Sequence, residues 1–163
     1  MPHRIGLRLL TAAVTIAMLL GLAAPARADL TAFWGFSPTV ATRSSQGFSI
    51  DVTKAIVGGE FEWANINEKK ADLAPGLKTY VFNGMLVTPG RKVQFYLVAG
   101  WGRYRETLNT VERTGDMTNL GVGLKYRLLG PVKLRLDYRV FSLHGSPVVK
   151  TPKRFYAGIT LGF

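Results

Sequence analysis

From Val132 to Phe141 the chain reads VKLRLDYRVF. Val132, Leu134, Leu136, Tyr138 and Val140 fall on one side of an extended chain, and Lys133, Arg135, Asp137 and Arg139 on the other. Successive side chains of a strand point to opposite faces, whereas the apolar positions of a helix return every three or four residues. The stretch is therefore a strand with one apolar and one charged face. The same period of two sets Leu120, Val122, Leu124 and Tyr126 against Gly121, Gly123, Lys125 and Arg127. It returns in Phe155, Ala157, Ile159, Leu161 and Phe163 against Tyr156, Gly158, Thr160 and Gly162.

Less regular stretches of the same kind occupy Leu30–Ser37, Gln46–Val52, Val57–Asn65, Leu77–Thr88 and Val93–Tyr104, which makes eight strands. Helix start and stop signals are absent. Long connections (Pro38–Ser45, Ile66–Gly76, Arg105–Met117, Ser142–Lys153) alternate with tight ones near Thr53–Ile56, Thr88–Lys92 and Leu128–Pro131. Pro89-Gly90 and Leu129-Gly130-Pro131 supply turn chemistry for two of the tight ones. In an up-and-down meander, odd connections lie at one end and even ones at the other. The predicted fold is all-β: an eight-stranded antiparallel up-and-down barrel, with short turns at one end and four mobile loops at the other.

The amino-terminal residues read as an address. His3, Arg4 and Arg8 precede an apolar run from Leu9 to Ala24, and Ala26 and Ala28 stand at the third and first places before a cut. That is the layout of a secretory signal peptide, 1–28, leaving 29–163 as one domain. The run is short for a spanning helix of about 20 residues. Of 21 Lys and Arg, 18 would remain against 10 Asp and Glu, a net charge of +8. Those bases are dispersed through strands rather than gathered in a patch, and export argues against nucleic acid as a partner. The chain has no Cys and only two His, so no disulfide, thiolate metal site or cysteine nucleophile is expected, and neither is a metal or cofactor.

Alternation alone does not say which face is outside. Three features turn the apolar face toward lipid, where a soluble barrel would bury it around a core or an apolar ligand. The polar face carries Gly100, Gly102, Gly121, Gly123, Gly158 and Gly162, which suit a crowded interior. The apolar face holds Trp34, Phe36, Phe61, Trp63, Tyr80, Phe82, Phe95, Trp101, Tyr126 and Tyr138, several near strand ends, as in aromatic girdles. Finally, Phe155, Ala157, Ile159, Leu161 and Phe163 make an amphipathic last strand with a terminal aromatic.

With "VAGWGRY" (Val98 to Tyr104), "LGVGLKYRL" (Leu120 to Leu128), "LRLDYRVF" (Leu134 to Phe141) and "FYAGITLGF" (Phe155 to Phe163), the domain resembles the small eight-stranded outer-membrane barrels of Gram-negative bacteria. These are the outer membrane protein A-type and opacity-type domains. The resemblance implies insertion in the outer membrane, assembly through a carboxy-terminal signal carried by Phe155, Ile159, Leu161 and Phe163, and a structural, adhesive or protective role. No separate peptidoglycan-binding domain is recognisable.

The inward candidates are Asp51, Glu60, Glu62 and Asp137, with Lys125, Arg127, Lys133, Arg135 and Arg139 as their cations and Gln94 beside them. An eight-stranded lumen is just wide enough for side chains, so these are expected to pair and plug it. The alternative is a narrow channel with a preference for anions. Glu60 and Glu62 are read as ion-pair partners rather than catalytic carboxylates. His144-Gly145-Ser146 has the His-x-Ser spacing of lipid A deacylases, but Pro147 follows where those enzymes have asparagine, and no acid follows Asp137 to orient the histidine. No catalysis is expected. The external bases Arg43, Lys69, Lys70, Arg105, Arg113, Lys150, Lys153 and Arg154 suit lipopolysaccharide phosphates, and the barrel is expected to be a monomer.

Overall fold

The computed structural model describes residues 25–163. Eight strands close a barrel in sequence order: β1 (Ala26–Ser37), β2 (Arg43–Lys54), β3 (Val57–Ile66), β4 (Gly76–Val87), β5 (Val93–Leu108), β6 (Val111–Leu129), β7 (Val132–Leu143) and β8 (Lys153–Gly162). Each pairs antiparallel with its neighbour, and β1 closes on β8 from Asp29↔Gly162 to Phe36↔Phe155. A single 3₁₀ turn, Lys70–Asp72, is the one helical element among the described residues. Residues 1–24 of the predicted leader lie outside the described residues, while its last three, Ala26 to Ala28, pair in β1 with Lys54, Thr53 and Val52.

Burial follows the sequence period. Along β7, Lys133, Arg135, Asp137, Arg139, Phe141 and Leu143 are buried, whereas Leu136 is exposed and Leu134, Tyr138 and Val140 are half-buried. Trp34, Phe36, Phe82, Leu86, Phe95, Leu97, Trp101, Leu120 and Val122 are exposed on the outer wall. The barrel is thus inside out relative to a soluble one, with an apolar coat and a charged core. A shallow, almost wholly apolar hollow of about 1130 Å³ runs across that coat past Trp34, Phe95, Leu97, Val122 and Leu136. A slip of one residue in any pairing would turn charges outward and apolar groups inward, so this amphipathicity fixes the register.

The connections differ most from expectation at one place. The predicted loop Arg105–Met117 is a hairpin: β5 and β6 continue to Leu108 and Val111 around Asn109-Thr110. Asn109 takes the left-handed conformation at φ 54°, which asparagine accepts more readily than most residues. Three loops therefore cap this end, Pro38–Thr42, Asn67–Pro75 and His144–Pro152, together with one projecting hairpin. At the other end Gly130, with φ 53°, makes the tight β6–β7 turn.

Glycine also admits bulk to the lumen. A Cβ on inward-facing Gly123 would occupy the position of the Tyr96 phenol. We expect Gly123→Ala to lower stability by about 1–3 kcal/mol, through displacement of Tyr96 from its buried partners. Chemical denaturation followed by the folded-band mobility on unheated gels measures this.

Candidate functional site

The chain's charges converge inside the barrel. Acids come from the first three strands: Asp29 on β1, Asp51 on β2, Glu60 and Glu62 on β3. Cations come from the last three: Lys125 on β6, Lys133, Arg135 and Arg139 on β7, Arg154 on β8. Asp137 is the one acid on the cationic wall. All ten are at most 6% exposed.

They form a chain of alternating sign along the axis. Lys133 Nζ lies 2.6 Å from Asp29 Oδ1, and Lys125 Nζ bridges Asp29 Oδ2 and Asp51 Oδ1, both at 2.8 Å. Arg135 continues it, with Nη1 3.5 Å from Asp51 Oδ2 and Nη2 2.6 Å from Glu60 Oε2. Arg139 sits among three carboxylates: Glu60 at 2.7 Å, Asp137 at 2.9 Å and Glu62 at 3.1 Å. Arg154 ends the series 2.6 Å from Glu62 Oε1. Neutral groups supply further partners, although Arg154 Nε and Nη1 and the Tyr156 hydroxyl have no hydrogen-bond partner among the described residues. The Tyr96 hydroxyl donates to Asp137 Oδ2 at 2.6 Å and accepts from Arg135 Nε at 2.7 Å. Asn83 Nδ2 donates to Glu60 Oε1, and Asn119 Nδ2 donates to Asn83 Oδ1. The Arg154 guanidinium lies among the rings of Phe33, Phe141 and Tyr156, about 5 Å from each centroid.

Each of these ions costs several kcal/mol to remove from water, and close pairing with opposite charges is what offsets that cost. The opposite orientation would set these charges into the apolar coat made by Leu97, Leu120 and Val122. Pairing across the lumen is the arrangement that satisfies both limits. Toward the loop end the charges give way to a plug of Ile66, Leu77, Val81, Tyr104, Met117, Phe141 and Leu143.

Above the plug, two buried ions of opposite sign tie down the loops. Arg43 donates to the carbonyls of Pro75 and Thr39, holding the first two loops. Glu106 accepts from the backbone N–H of Val148 at 2.6 Å and of Val149 at 3.3 Å, holding the last. The Tyr104 hydroxyl donates to His144 O at 2.8 Å.

Several sequence expectations need correction. Arg127 has the inward parity of Lys125 but is exposed and outside the network, because the wall has ended there: a bulge between Arg127 and Leu129 leads into the turn. Gln94 is half-buried near the same end and joins no ion pair among the described residues. Arg43 and Arg154, read as external, are 4% and 0% exposed. Both strands begin two or three residues earlier than the pattern suggested, which places them on inward positions. Asp29, the first residue after the expected cut, was not among the inward candidates and completes a balance of five acids and five cations. Of the remaining external bases, Lys69, Lys70, Arg105, Arg113, Lys150 and Lys153 are exposed at the loop end. Glu60 and Glu62 are engaged by Arg135, Arg139 and Arg154. His144 and Ser146 are exposed where β7 gives way to its loop. His144 N donates to the backbone O of Asp116, but the imidazole makes no hydrogen bond to Ser146 or to a carboxylate among the described residues. Phe155, Ile159, Leu161 and Phe163 face outward on and just beyond β8.

No family model matches the chain. No curated protein matches it either. Solved structures do. The amino-terminal barrel domain of Pseudomonas aeruginosa OprF is 17% identical over 84% of this chain and 97% of that one, with a TM-score of 0.65. Neisserial surface protein A is 17% identical over 85% and 96%, with a TM-score of 0.58. The outer membrane enzyme PagL is 9% identical over 82% and 98%, with a TM-score of 0.54. An enzyme stands among these neighbours, so the architecture by itself does not decide for or against catalysis. What the chain shares with them is one fold, that of the small eight-stranded outer-membrane β-barrel.

Proposed function

We propose that the protein is exported, inserts in the outer membrane as a monomeric barrel, and serves a structural or surface-interaction role without catalysis. The observation that carries this reading is the inverted distribution of polarity. A closed barrel coated with exposed Trp34, Phe82, Leu97 and Leu120, and filled with ten paired charges, matches a hydrocarbon solvent and not water. Lipid is then the partner of the wall. Lipopolysaccharide phosphates are the partner of the exposed loop-end bases, joined there by Lys78 and Arg103 on the outer faces of β4 and β5. The outward residues Phe155, Ile159, Leu161 and Phe163 are the surface that the outer-membrane assembly machinery would recognise. Equal numbers of interior acids and cations remove the cationic excess on which an anion channel would draw.

The test is a mobility-shift gel on urea-washed outer membranes from cells expressing the full chain. The band is expected to stay with the membrane and to change mobility on boiling, and planar bilayers holding the purified protein should show no single-channel steps. Release by urea with no mobility change would overturn the membrane reading; regular conductance steps would overturn the plugged lumen.

A further inference from the structure

The two ends of the barrel carry different charge. Every carboxylate side chain of the described residues is either in the interior network (Asp29, Asp51, Glu60, Glu62, Asp137) or at the loop end (Glu68, Asp72, Glu106, Glu112, Asp116). The turn end has none. It does have Lys54 at the β2–β3 turn, Arg91 and Lys92 between β4 and β5, and Arg127 beside the β6–β7 turn, all partly or fully exposed. Arg27 adds a fifth cation if the mature chain retains it. No acid side chain offsets the mutual repulsion of these groups, so the end presents a positive potential that draws anions.

The turns that carry these cations are not hydrophilic. Ile56 is 54% exposed, Leu129 81% and Phe163 78%, each at or next to a chain reversal or the last strand's end. Outward apolar groups thus continue into the turns instead of stopping short of them. Cations interleaved with exposed apolar side chains fit a headgroup layer, where the apolar groups enter the acyl boundary and the cations meet phosphates. A soluble acidic protein would leave Leu129 and Phe163 in water.

We propose that the turn end is a binding surface for anionic phospholipid headgroups, selecting a phosphodiester with net negative charge over a zwitterionic one. This deepens the membrane reading above and depends on it. Each cation near a charged leaflet shifts the partition by roughly fivefold at low salt, so loss of four is a large change. The experiment reconstitutes the full chain in bilayer discs of mixed phosphatidylglycerol and phosphatidylcholine and counts the lipids retained by native mass spectrometry. Three proteins are compared: the unsubstituted chain, the charge-removing variant Lys54→Gln/Arg91→Gln/Lys92→Gln/Arg127→Gln, and the charge-keeping variant Lys54→Arg/Arg91→Lys/Lys92→Arg/Arg127→Lys at the same four positions. The unsubstituted and charge-keeping proteins should retain phosphatidylglycerol preferentially, by on the order of tenfold or more, and the charge-removing variant should lose most of that preference. Preference kept in full by the charge-removing variant, or lost by the charge-keeping one, would overturn the proposal. So would displacement of the lipid by millimolar inorganic phosphate, which would assign the surface to a small anion. Failure of all three to enter bilayers or shift on boiling would instead refute the membrane reading.

Discussion

Replacing Arg139 with methionine should cost the folded barrel about 3–5 kcal/mol, the usual penalty for removing one partner of a buried ion pair. Arg139 is fully buried and, among the described residues, is the one cation that touches Glu60, Glu62 and Asp137 together. Methionine fills much of the volume, so the loss reads mainly the three carboxylates left with less compensation. Glu60 retains Arg135, Glu62 retains Arg154 and Asp137 retains Arg135 at 3.3 Å, so the network is wounded rather than dissolved. Arg139→Lys should fall between, because an ammonium supplies the charge but cannot direct Nε, Nη1 and Nη2 at three partners. Adding Glu62→Gln to Arg139→Met should restore part of the loss, and the double-mutant cycle measures the coupling. Denaturant titration in lipid vesicles, scored by the folded fraction on unheated gels, supplies the numbers. A loss under about 1 kcal/mol for Arg139→Met would mean that the ion chain contributes little to stability.

Val122→Arg should cost about 2–4 kcal/mol in lipid, the value for an outward arginine near a bilayer midplane. Val122 is 48% exposed and lies midway along the outer face of β6, between Leu120 and Leu124 and opposite Leu97 of β5. Thr118→Arg, nearer the loop end on the same face, should cost about 0–1 kcal/mol, since the penalty fades toward the interface. The gradient between the two is the diagnostic. On a water-soluble barrel both are exposed surface changes, each within about 0.5 kcal/mol of neutral. Equal, small effects at both positions would therefore reject lipid as the solvent of this wall.

The strands were legible because each obeys a period of two over a long stretch. The alternation of VKLRLDYRVF maps onto the buried and outer faces of β7 residue by residue. Where the pattern failed, it failed at the ends. Arg43 and Arg154 stand beside Pro38–Thr42 and Pro152, and a charged residue next to a proline-containing stretch reads as loop. Their burial depends on loops folding back over the mouth, a tertiary event with no local signature. Arg105–Met117 has Gly115 and five charged residues and so reads as a loop, yet Asn109-Thr110 was there as a two-residue turn signal within it. The inward charges of β7 could be nominated from one strand, but their partners could not. Lys133 meets Asp29 and Arg139 meets Glu60 across separations of 104 and 79 residues, and nothing local in the chain encodes such a meeting. Tyr96 was equally hidden. A tyrosine between Phe95 and Leu97 gives no sign that its hydroxyl will join Arg135 to Asp137.

The division of acids to β1–β3 and cations to β6–β8 has a consequence for the order of assembly. A chain with only its first five strands in place holds Asp29, Asp51, Glu60 and Glu62 on adjacent strands, with Asp29 directly opposite Asp51 and Asp51 opposite Glu60. None of their cationic partners has yet arrived, and like charges set opposite one another repel. Such a half-made sheet is stable only while water still reaches its inner face. Drying of the lumen must then coincide with the joining of β1 to β8, when the second wall meets the first. The protein's interior is built to stay wet until its last seam is sewn.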